Sequence, residues 1–518
     1  MFKMVFESSS SWDKIQLKNY ETEASWKYHN GTKHPNGILL NRFHTYHSAS
    51  RPTPYKRYKG APQIKLAPGK QPGRVSALDA ISTNVLHDDA QFIPDIDLLS
   101  KILFFSGGIT KTLKFVPPLG EVEFRAASCT GALYHIEMYV VCSDIPGLPA
   151  GVYHFNPKNN SLTVLRNGDY RQVLSDATAN EPFVTHSPIT LVFTDIFSRN
   201  SIKYQAREYR HAFWDCGTIL ANSLAVSNAY QMQYKLILGF VDSMINKLLG
   251  LDEKKEAVLA MLSLGHVKQE IPNSPPLDKI AESEPLEHEL DFVAINEMHD
   301  SSSLTSIQEI SSWKRRMEPV HQPSSKMIKL GEGTNSNASL EQTIIRRGST
   351  RKFSHDPISL DELSTILKRS IGGIVSDFEE DDIINDIYII VNAVDGLEHG
   401  AYFYNRKDNS LETLQQGNLR DVSGHLGLDQ NLPYDAAATI FFMVDLEKIL
   451  ETFGNRGYRV AQMDASITAG KMYLAAYALE IGATGLTFYD DEVTEFFSPH
   501  ASKKSVMFML AIGKRAKK

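Results

Sequence analysis

The chain has 518 residues, of which 42% are hydrophobic and 22% are charged, the composition of a globular protein with material for two or more domains. Its formal net charge of −7 argues against nucleic acid or an anionic membrane as a partner. Cys129, Cys142 and Cys216 form neither a disulfide framework nor a paired metal motif. No apolar run approaches the roughly 20 residues that cross a bilayer, and the N-terminus lacks a signal-peptide pattern. These features predict a cytoplasmic protein with no membrane partner.

Residues 1–60 form an aromatic and basic arm ahead of the first domain. The arm contains closely spaced histidines, His29 with His34 and His44 with His47. Such spacings could suit a metal, but no acidic or cysteine partner set accompanies them. The sequence therefore predicts no metal site, and docking of the arm residues on the domain explains the histidines better.

An internal repeat organises the rest of the chain. The segment YVVCSDIPGLPAGVYHFN at 139–156 aligns without a gap on YIIVNAVDGLEHGAYFYN at 388–405, an offset of 249 (388 − 139). The same offset pairs REYRHAFWD at 207–215 with RGYRVAQMD at 456–464. A register held over this distance indicates a duplicated domain, because the period is far too long for a solenoid.

Each copy predicts an α+β fold with the same order of elements. A β-branched and aromatic strand, at 136–142 or 385–391, is followed by a second short strand, GVYHF or GAYFY. A long helix with small and apolar residues at helical spacing comes next, and the copy closes on the strand AVLAMLSLG or SVMFMLAIG. In the second copy, SLDE at 359–362 predicts a capping box that opens a helix.

These patterns divide the chain into an arm, two domains and a linker. The predicted bounds are 1–60 for the arm, 61–268 for the first domain, 269–335 for the linker and 336–518 for the second domain. The linker is rich in Pro, Ser and acidic residues, which predicts a crossing segment with little core of its own. Near the end of the first copy, the offset of 249 pairs Asp242 with Asp491.

The two copies differ in two loops. RRGSTR at 346–351 places arginines on either side of a serine, a pattern that could enclose a phosphate, whereas the first copy offers only GRVSALDAIS at 73–82. Conversely, the small residues of SCTGALYH at 128–135 let a flat ligand approach the backbone, whereas the second copy has the acidic DFEEDDII at 377–384. These complementary losses predict one composite site where the two remaining loops face each other. The mirror position is predicted to stay empty.

These motifs resemble the FMN-dependent nitroreductase superfamily. RRGSTRKF is similar to its Arg-x-Ser-x-Arg/Lys phosphate motif. RAASCTGALYHIEMYVV, GLPAGVYHF and KYQAREYRHAFWDCGTILAN resemble its SagB/ThcOx branch, the azoline dehydrogenases of ribosomal peptide maturation. The resemblance covers roughly residues 24–268 and 340–515. It implies an intrachain pseudo-dimer of two nitroreductase-like domains with one FMN across their interface.

The resemblance also implies which residues contact FMN. The predicted contacts are, for the phosphate, Arg347, Ser349, Arg351, Lys514 and Arg515; for the pyrimidine side of the ring, Ser128, Thr130 and Gly131; and near N5, Thr487 and Phe488. For Lys514 and Arg515, the alternative is a basic tail without a ligand. For Thr487 and Phe488, the alternative is the end of a strand without a functional role. Cys129 is interpreted as a packed thiol, since no base or cation beside it is identifiable.

Lys203 and Tyr204 resemble the Lys-Tyr pair that azoline oxidases use to remove a proton while hydride leaves for the flavin. A lysine serves as a base when burial depresses its pKa. The resemblance thus implies an FMN-dependent oxidoreductase acting on a small-molecule or peptide-heterocycle substrate, with nicotinamide at most a visiting reductant. The alternatives are a nitro- or quinone-reductase that needs only an open flavin face, and a catalytically inactive flavin-binding or partner-docking module. Association of chains beyond the pseudo-dimer stays open.

Overall fold

The computed structural model describes residues 18–34, 52–67, 73–83, 90–116, 120–285, 291–313, 327–372, 374–378 and 384–517. The helices up to the end of the first copy are α1 (Glu23–Gly31), α2 (Ala77–Ser82), α3 (Ile96–Gly107), α4 (Arg171–Ala177), α5 (Pro182–His186), α6 (Phe197–Tyr204), α7 (Glu208–Ala229) and α8 (Asp242–Leu249). The strands of this part are β1 (Gln63–Lys65), β2 (Ile109–Lys114), β3 (Glu121–Arg125), β4 (Ile136–Cys142), β5 (Gly151–Asn156), β6 (Ser161–Asn167), β7 (Ile189–Ile196), β8 (Tyr234–Ile237) and β9 (Glu256–Leu264).

The second half repeats this series. Its helices are α9 (Val293–Ser302), α10 (Ile307–Trp313), α11 (Leu340–Arg346), α12 (Leu360–Ser370), α13 (Arg420–Leu426), α14 (Asn431–Asp435), α15 (Leu446–Phe453), α16 (Arg456–Ala478) and α17 (Asp490–Phe496). Its strands are β10 (Met327–Lys329), β11 (Ile358–Ser359), β12 (Asp386–Val391), β13 (Val394–Asp395), β14 (Gly400–Asn405), β15 (Ser410–Gln416), β16 (Ala438–Val444), β17 (Gly482–Leu486) and β18 (Ser505–Gly513). None of the described helices is long and apolar enough to cross a membrane.

The two copies have sheets of the same topology. The first sheet has seven strands in the order β1-β6-β5-β4-β7-β9-β8, and the second has seven in the order β10-β15-β14-β12-β16-β18-β17. Neighbouring strands in both sheets are antiparallel. The strand orders match position by position, so the prediction of two tandem α+β domains is confirmed.

Local sequence signals account for the main elements. The predicted strands at 136–142 and 385–391 are the buried central strands β4 and β12. The capping box is present at the start of α12, where the Ser359 hydroxyl accepts from the Glu362 amide at 3.1 Å and the Glu362 carboxylate accepts from the Ser359 amide at 2.7 Å. These two signals depend on neighbouring residues, which is why the sequence predicted them.

The long helices α7 and α16 pack against each other across a pseudo-two-fold axis. A Cβ atom on Gly217 would lie 1.8 Å from Ser466 Oγ, and one on Gly470 would lie 2.5 Å from the Ala221 Cβ. In each pair, the two residues are 249 positions apart, so each residue meets its own duplicate, as in an isologous dimer contact. Buried side chains of both copies join in one hydrophobic cluster. The duplicated domains therefore share a core.

The predicted linker contains a duplicate of the arm helix. Arg210 of α7 donates to the His29 carbonyl at 2.7 Å and to Thr32 Oγ1 at 2.9 Å at the end of α1. Arg459 of α16 donates to the His299 carbonyl at 2.9 Å and from Nε to the Ser302 hydroxyl at 2.8 Å in α9. Both pairs of contacts are related by an offset of 270 (299 − 29). The segment 291–313 is therefore a packed part of the second copy, although its composition predicted a linker with little core.

The arginines at the starts of the long helices form ion pairs with the opposite copy. Asp242 accepts from Arg456 and Arg459 at 2.8 Å. The matching carboxylate in the second copy is that of Asp490, which accepts from Arg207 at 3.0 Å and Arg210 at 2.6 Å.

The pairing of Asp242 with Asp491 was wrong by one residue, because the loop between the edge strand and the next helix is shorter in the second copy. The ends of the edge strands keep the offset of 249, since β8 ends at Ile237 and β17 ends at Leu486. Four residues then separate β8 from α8, whereas three separate β17 from α17. The offset between the copies at α8 and α17 is thus 248.

Candidate functional site

The two predicted loops, one from each copy, lie against each other. Arg347 donates from Nε to the Ala126 carbonyl at 2.9 Å and from Nη2 to the Arg125 carbonyl at 3.2 Å. Both carbonyls come shortly before the small-residue segment 128–135. Burial lowers the pKa of Arg347, and within the described part of the chain its guanidinium makes no ion pair with a carboxylate. Neutral carbonyls hold this half-buried cation, and its charge is left for an anion.

Hydrogen bonds to α16 and β17 of the second copy hold the backbone of the arginine-serine motif in place. The Tyr477 hydroxyl of α16 donates to the Gly348 carbonyl at 2.5 Å, and the Thr350 amide donates to a carbonyl of β17 at 2.9 Å. Thr350 is buried, whereas Ser349 is half-buried and Arg351 is exposed. The motif therefore turns its alternate positions toward the interdomain side.

The other predicted phosphate cations have unequal surroundings. Lys514 Nζ lies 2.6 Å from Glu362 Oε1, so a carboxylate already balances its charge. Arg515 lies over the Tyr477 ring, 5.5 Å from the ring centroid, and so stays beside the motif. Arg346 is exposed at the end of α11, as expected for a solvated residue. Among the described residues, Arg515 rather than Lys514 thus lies at the motif as a cation without a carboxylate partner.

Asp215 of α7 holds the small-residue turn. The Thr130 amide donates to the two carboxylate oxygens at 3.0 and 2.8 Å, and its hydroxyl donates at 2.9 Å. The Cys129 thiol donates to Asp215 at 3.0 Å and accepts from the Tyr134 amide at 3.1 Å. Burial and the charge of Asp215 raise the pKa of Cys129 to about 11, so the residue is a packed thiol. Thr130 uses both of its donors within the protein.

The predicted catalytic pair ends α6 and touches the same turn. A Cβ atom on Gly131 would lie 3.0 Å from the Tyr204 hydroxyl, and Gly131 has a φ of 63°, so a side chain there is excluded. The His211 ring packs edge-on against Tyr204 at 4.6 Å. Burial raises the pKa of Tyr204, which keeps its hydroxyl protonated, while the charge of Arg351 acts in the opposite direction. Lys203 Nζ lies 5.0 Å from the centroid of the Tyr204 ring.

The strand-end pair from the second copy reaches the first domain. Phe488 is buried, with its ring 5.3 Å from the Arg207 guanidinium and 5.9 Å from the Trp214 ring. The Thr487 hydroxyl is buried and has no hydrogen-bond partner among the described residues. With the offset of 248, Thr487 is the counterpart of Gly239 in the first copy. The assignment of Thr487 and Phe488 to a segment that faces flavin N5 remains a prediction. The hydroxyl of Thr487 is the unsatisfied group in this segment.

The chain itself fills the mirror position. The Asp377 carboxylate accepts from the Leu238 amide at 2.9 Å and from the Gly239 amide at 2.8 Å. The Trp313 ring packs beside Gly239, 2.7 Å from where a Cβ atom would lie. Asp377 is the counterpart of Ser128 at the offset of 249. An acidic side chain thus stands where the other site presents a small hydroxyl residue.

Several residues singled out in the sequence lie away from this site or outside the described residues. His29 bonds to a tyrosine of α16 at 3.3 Å, and the His34 amide donates to the first aspartate of α17 at 3.0 Å, so both dock the arm. His44, His47 and the acidic stretch 379–383 are outside the described residues.

Sequence reasoning missed the groups behind the turn. Asp215 is bonded at 2.7 Å to the buried His135, whose other ring nitrogen is 2.7 Å from Asp195. One signal was available, because the repeated segment REYRHAFWD ends in Asp215 and its duplicate ends in Asp464. His135 gave no such signal, since a lone histidine in a strand is common.

The comparisons with known proteins agree with this architecture. The nitroreductase family profile matches residues 124–266 and 386–514, just over half of the chain. The solved structure of a nitroreductase-like protein from Anabaena variabilis is 26% identical, with a TM-score of 0.77, and the alignment covers 95% of this chain and 99% of that one. The likeness therefore extends over both copies.

Two curated relatives match about a third of the chain. A nitroreductase-type protein of Methanocaldococcus jannaschii is 26% identical over 185 residues, which are 34% of this chain and 91% of that protein. The microcin B17-processing protein McbC of Escherichia coli is 26% identical over 159 residues, 30% of this chain and 58% of McbC. The match to McbC thus spans little more than half of that relative.

Proposed function

The chain belongs to the nitroreductase family, with two nitroreductase domains in tandem, and from that premise we propose that it is an FMN-dependent oxidoreductase with one composite flavin site between its domains. The observation that carries the proposal is the contact of Arg347 with the Ala126 carbonyl. It joins the phosphate-type motif of the second copy to the small-residue turn of the first. On the opposite side, Asp377 occupies the corresponding space.

The residues on this side fit a ligand that is anionic at one end and flat at the other. Arg347 has a half-buried guanidinium with no carboxylate partner among the described residues, and such a group suits a phosphate. Gly131 lets the backbone of the turn approach the Tyr204 hydroxyl closely, and Thr487 supplies a buried hydroxyl with no partner in the described part. An orphaned buried hydroxyl costs free energy unless a ligand satisfies it.

We assign the contacts as follows. Arg347, Ser349, Arg351 and Arg515 would hold the phosphate; Ser128 and Gly131 would border the ring; Thr487 and Phe488 would lie near N5. Thr130 acts through the shape of the turn, because its amide and hydroxyl already bond to Asp215. Lys514 is assigned a minor part because of its ion pair with Glu362. FMN, when bound, supplies the hydride-transfer chemistry, and the protein binds, orients and tunes it.

Lys203 and Tyr204 are assigned the proton chemistry of a dehydrogenase. Oxidation of a heterocycle removes a hydride and a proton from the substrate, and a basic side chain must take the proton. Lys203 would take it, while the Tyr204 hydroxyl, kept protonated by burial, would donate a hydrogen bond to the substrate. McbC, a relative of this chain, is a microcin-processing protein, which favours a peptide or a small heterocycle as the substrate.

Removal of the motif cations tests the flavin site. We expect Arg347→Ala with Arg351→Ala to weaken FMN binding at least about tenfold, because each charge-assisted bond contributes about 1.5–3 kcal/mol. Arg346→Ala is the matched control, since it removes a neighbouring but exposed cation. Titration of the apoprotein with FMN, followed by flavin fluorescence, gives the affinities. Equal affinity in the double variant and in the control would overturn the assignment.

Two further measurements separate the alternatives. The absorbance spectrum of the purified full chain should give one FMN per chain; two per chain would contradict the composite site. A colourless protein that FMN cannot reconstitute would support a flavin-free docking module. In Lys203→Ala, loss of turnover with flavin retained indicates a dehydrogenase, whereas unchanged turnover of a quinone or nitro substrate indicates a reductase.

A further inference from the structure

A chain of buried ionisable side chains lies behind the small-residue turn. His135 precedes β4 and is fully buried. Its Nδ1 lies 2.7 Å from Asp195 of β7, and its Nε2 lies 2.7 Å from Asp215 of α7. Each ring nitrogen thus faces a carboxylate. A carboxylate only accepts, so both nitrogens must donate, and an imidazole does so only when it is protonated.

A third carboxyl group completes the cluster. Glu208 of α7 lies 3.4 Å from His135 Nδ1, and both of its oxygens are buried without a hydrogen-bond partner in the described part of the chain. Asp195 Oδ2 is orphaned in the same way. Burial and the charge of Asp195 raise the pKa of Glu208 well above its ordinary value. With Glu208 protonated, two carboxylates, those of Asp195 and Asp215, stand beside the His135 ring.

Asp215 connects this cluster to a strained turn. Its carboxylate accepts from the thiol of Cys129 and from the amide and hydroxyl of Thr130. In the same turn, Ala132 and Tyr134 have φ angles of 52° and 51°, which L-residues adopt at a cost. Such a conformation persists only where the surroundings fix it. Here the anionic form of Asp215 is the fixing group.

The second copy offers a comparison. Asp464, the duplicate of Asp215, accepts from the Ile384 amide at 3.1 Å and from the Asn385 amide at 2.9 Å. The duplicate of His135 is Ile384, which offers this carboxylate a backbone amide in place of an imidazole. The imidazole is therefore a feature of the candidate site and not of the fold.

The distances indicate hydrogen bonds rather than a metal centre. Cys129, His135 and Asp215 offer ligand atoms within 4.8 Å of one another. Two ligands on one tetrahedral zinc ion at about 2.0 Å lie about 3.3 Å apart. The His135–Asp215 separation of 2.7 Å is shorter than that and is typical of a charge-assisted hydrogen bond.

We propose that His135 is a positioning residue: it stays protonated and, through Asp215, fixes the Cys129–Tyr134 turn in the shape that the proposed flavin ring requires. The consequence for flavin rests on the proposed function, whereas the protonation and the shape of the turn do not. Although burial opposes the charged form, the charge of Asp195 and the bonds to both aspartates raise the pKa of His135 well above 6.5.

The groups that face His135 are the following: Asp195 from β7, Glu208 and Asp215 from α7, and Cys129 from the turn. The charge of His135 also acts on the pKa values of Tyr204, His211 and Cys216. Asp195 and Asp215 lie closest to the two ring nitrogens, each at 2.7 Å.

The test uses NMR of the full chain labelled with ¹⁵N-histidine, with His135→Gln to assign the signal. We expect the ring nitrogens of His135 to give the protonated signature from pH 5 to pH 8 without FMN. In Asp215→Asn, the Thr130 amide should exchange its hydrogen about tenfold faster or more, and FMN should bind about tenfold more weakly. Asp464→Asn is the matched control, a buried duplicate carboxylate whose loss should leave both quantities unchanged.

The outcomes are distinct. A neutral His135 ring at pH 7 in the wild-type chain overturns the proposal, and this measurement needs no variant to fold. Equal effects of Asp215→Asn and Asp464→Asn on Thr130 exchange also overturn it, because the role would then be general stability. If the wild-type chain binds no FMN, the proposed function fails, but the protonation and exchange measurements still decide the role of His135.

Discussion

The candidate site and the mirror position are built from equivalent parts, yet a carboxylate of the chain is bonded to backbone amides at the mirror position. At the candidate site, the buried Thr487 hydroxyl has no partner in the described residues. At the mirror position, Asp377 bonds directly to the amides of Leu238 and Gly239. The counterpart of Asp377 at the candidate site is Ser128, which carries no charge. The duplicated chain thus has an internal contact at one of its two equivalent positions.

The asymmetry is confined to these loops. At both ends of the helix pair, a buried aspartate of one copy binds two arginines of the other, Asp242 in one case and Asp490 in the other. The arm helices α1 and α9 cover the two clusters in the same way. General decay of one copy would have eroded these contacts as well. The frame stays symmetric because both halves need it to fold.

The largest expected effect comes from breaking this symmetric frame. Asp490→Ala leaves Arg207 and Arg210 buried without their counter-charge, which costs about 3–5 kcal/mol. Asp242→Ala should cost a similar amount at the other end. Asp491→Ala is the control, since its side chain is 78% exposed and pairs with Lys33 in the described part of the chain. Denaturant unfolding of the three variants gives the free energies.

The comparison of Asp491→Ala with Asp490→Ala also tests which aspartate is the counterpart of Asp242. If Asp491→Ala destabilises the chain more than Asp490→Ala does, the offset of 249 holds through α17 and the shorter loop before α17 is incorrect. If Asp242→Ala and Asp490→Ala differ by several kcal/mol, the frame is not symmetric.

A smaller effect is expected at the mirror position. Asp377→Ala leaves the amides of Leu238 and Gly239 without their acceptor, at a cost of about 1–3 kcal/mol. The flavin content should remain one per chain, because this side has no arginine-serine motif. Urea unfolding and the absorbance ratio of flavin to protein measure the two quantities. A second flavin in this variant would mean that Asp377 alone keeps the mirror position closed.

The parts predicted from sequence were those that depend on nearby residues or on the repeat. The strands β4 and β12, the capping box at Ser359 and the meeting of Arg347 with the small-residue turn follow from such signals. The contact of Asp377 with the amides of Leu238 and Gly239 at the mirror position could not be predicted from the sequence. An acidic loop is expected to be exposed to solvent unless its amide partners are known. His135 was missed for the same reason, since its two carboxylates come from distant segments.

The linker shows a different limit. Pro, Ser and acidic residues surround α9, so its composition predicted an open segment. Yet Ile295, Met298 and His299 are buried in the described structure. The duplication is recognisable there only through contacts, because His29 and His299 bond to equivalent tyrosines while most other residues have changed.

The smallest expected effect is the contribution of the candidate site to the pH dependence of stability. His135 has its pKa raised in the folded chain, so the stability it contributes is complete below about 6.5 and is lost as the pH rises toward the folded value. Glu208, with a raised pKa, acts in the same direction from about 4.5 upward. Asp242 and Asp490 have lowered pKa values, and their contribution is lost only as the pH falls below about 4. Between pH 6.5 and 8, His135 should therefore lower the free energy of unfolding as the pH rises, by up to about 1.4 kcal/mol per pH unit, while the buried Lys471, whose pKa is lowered to about 8, acts in the opposite direction. His135→Gln should flatten this slope, and Asp464→Asn should not. Guanidinium unfolding at several pH values measures the slopes, and an unchanged slope in His135→Gln would show that the imidazole is neutral in the folded chain.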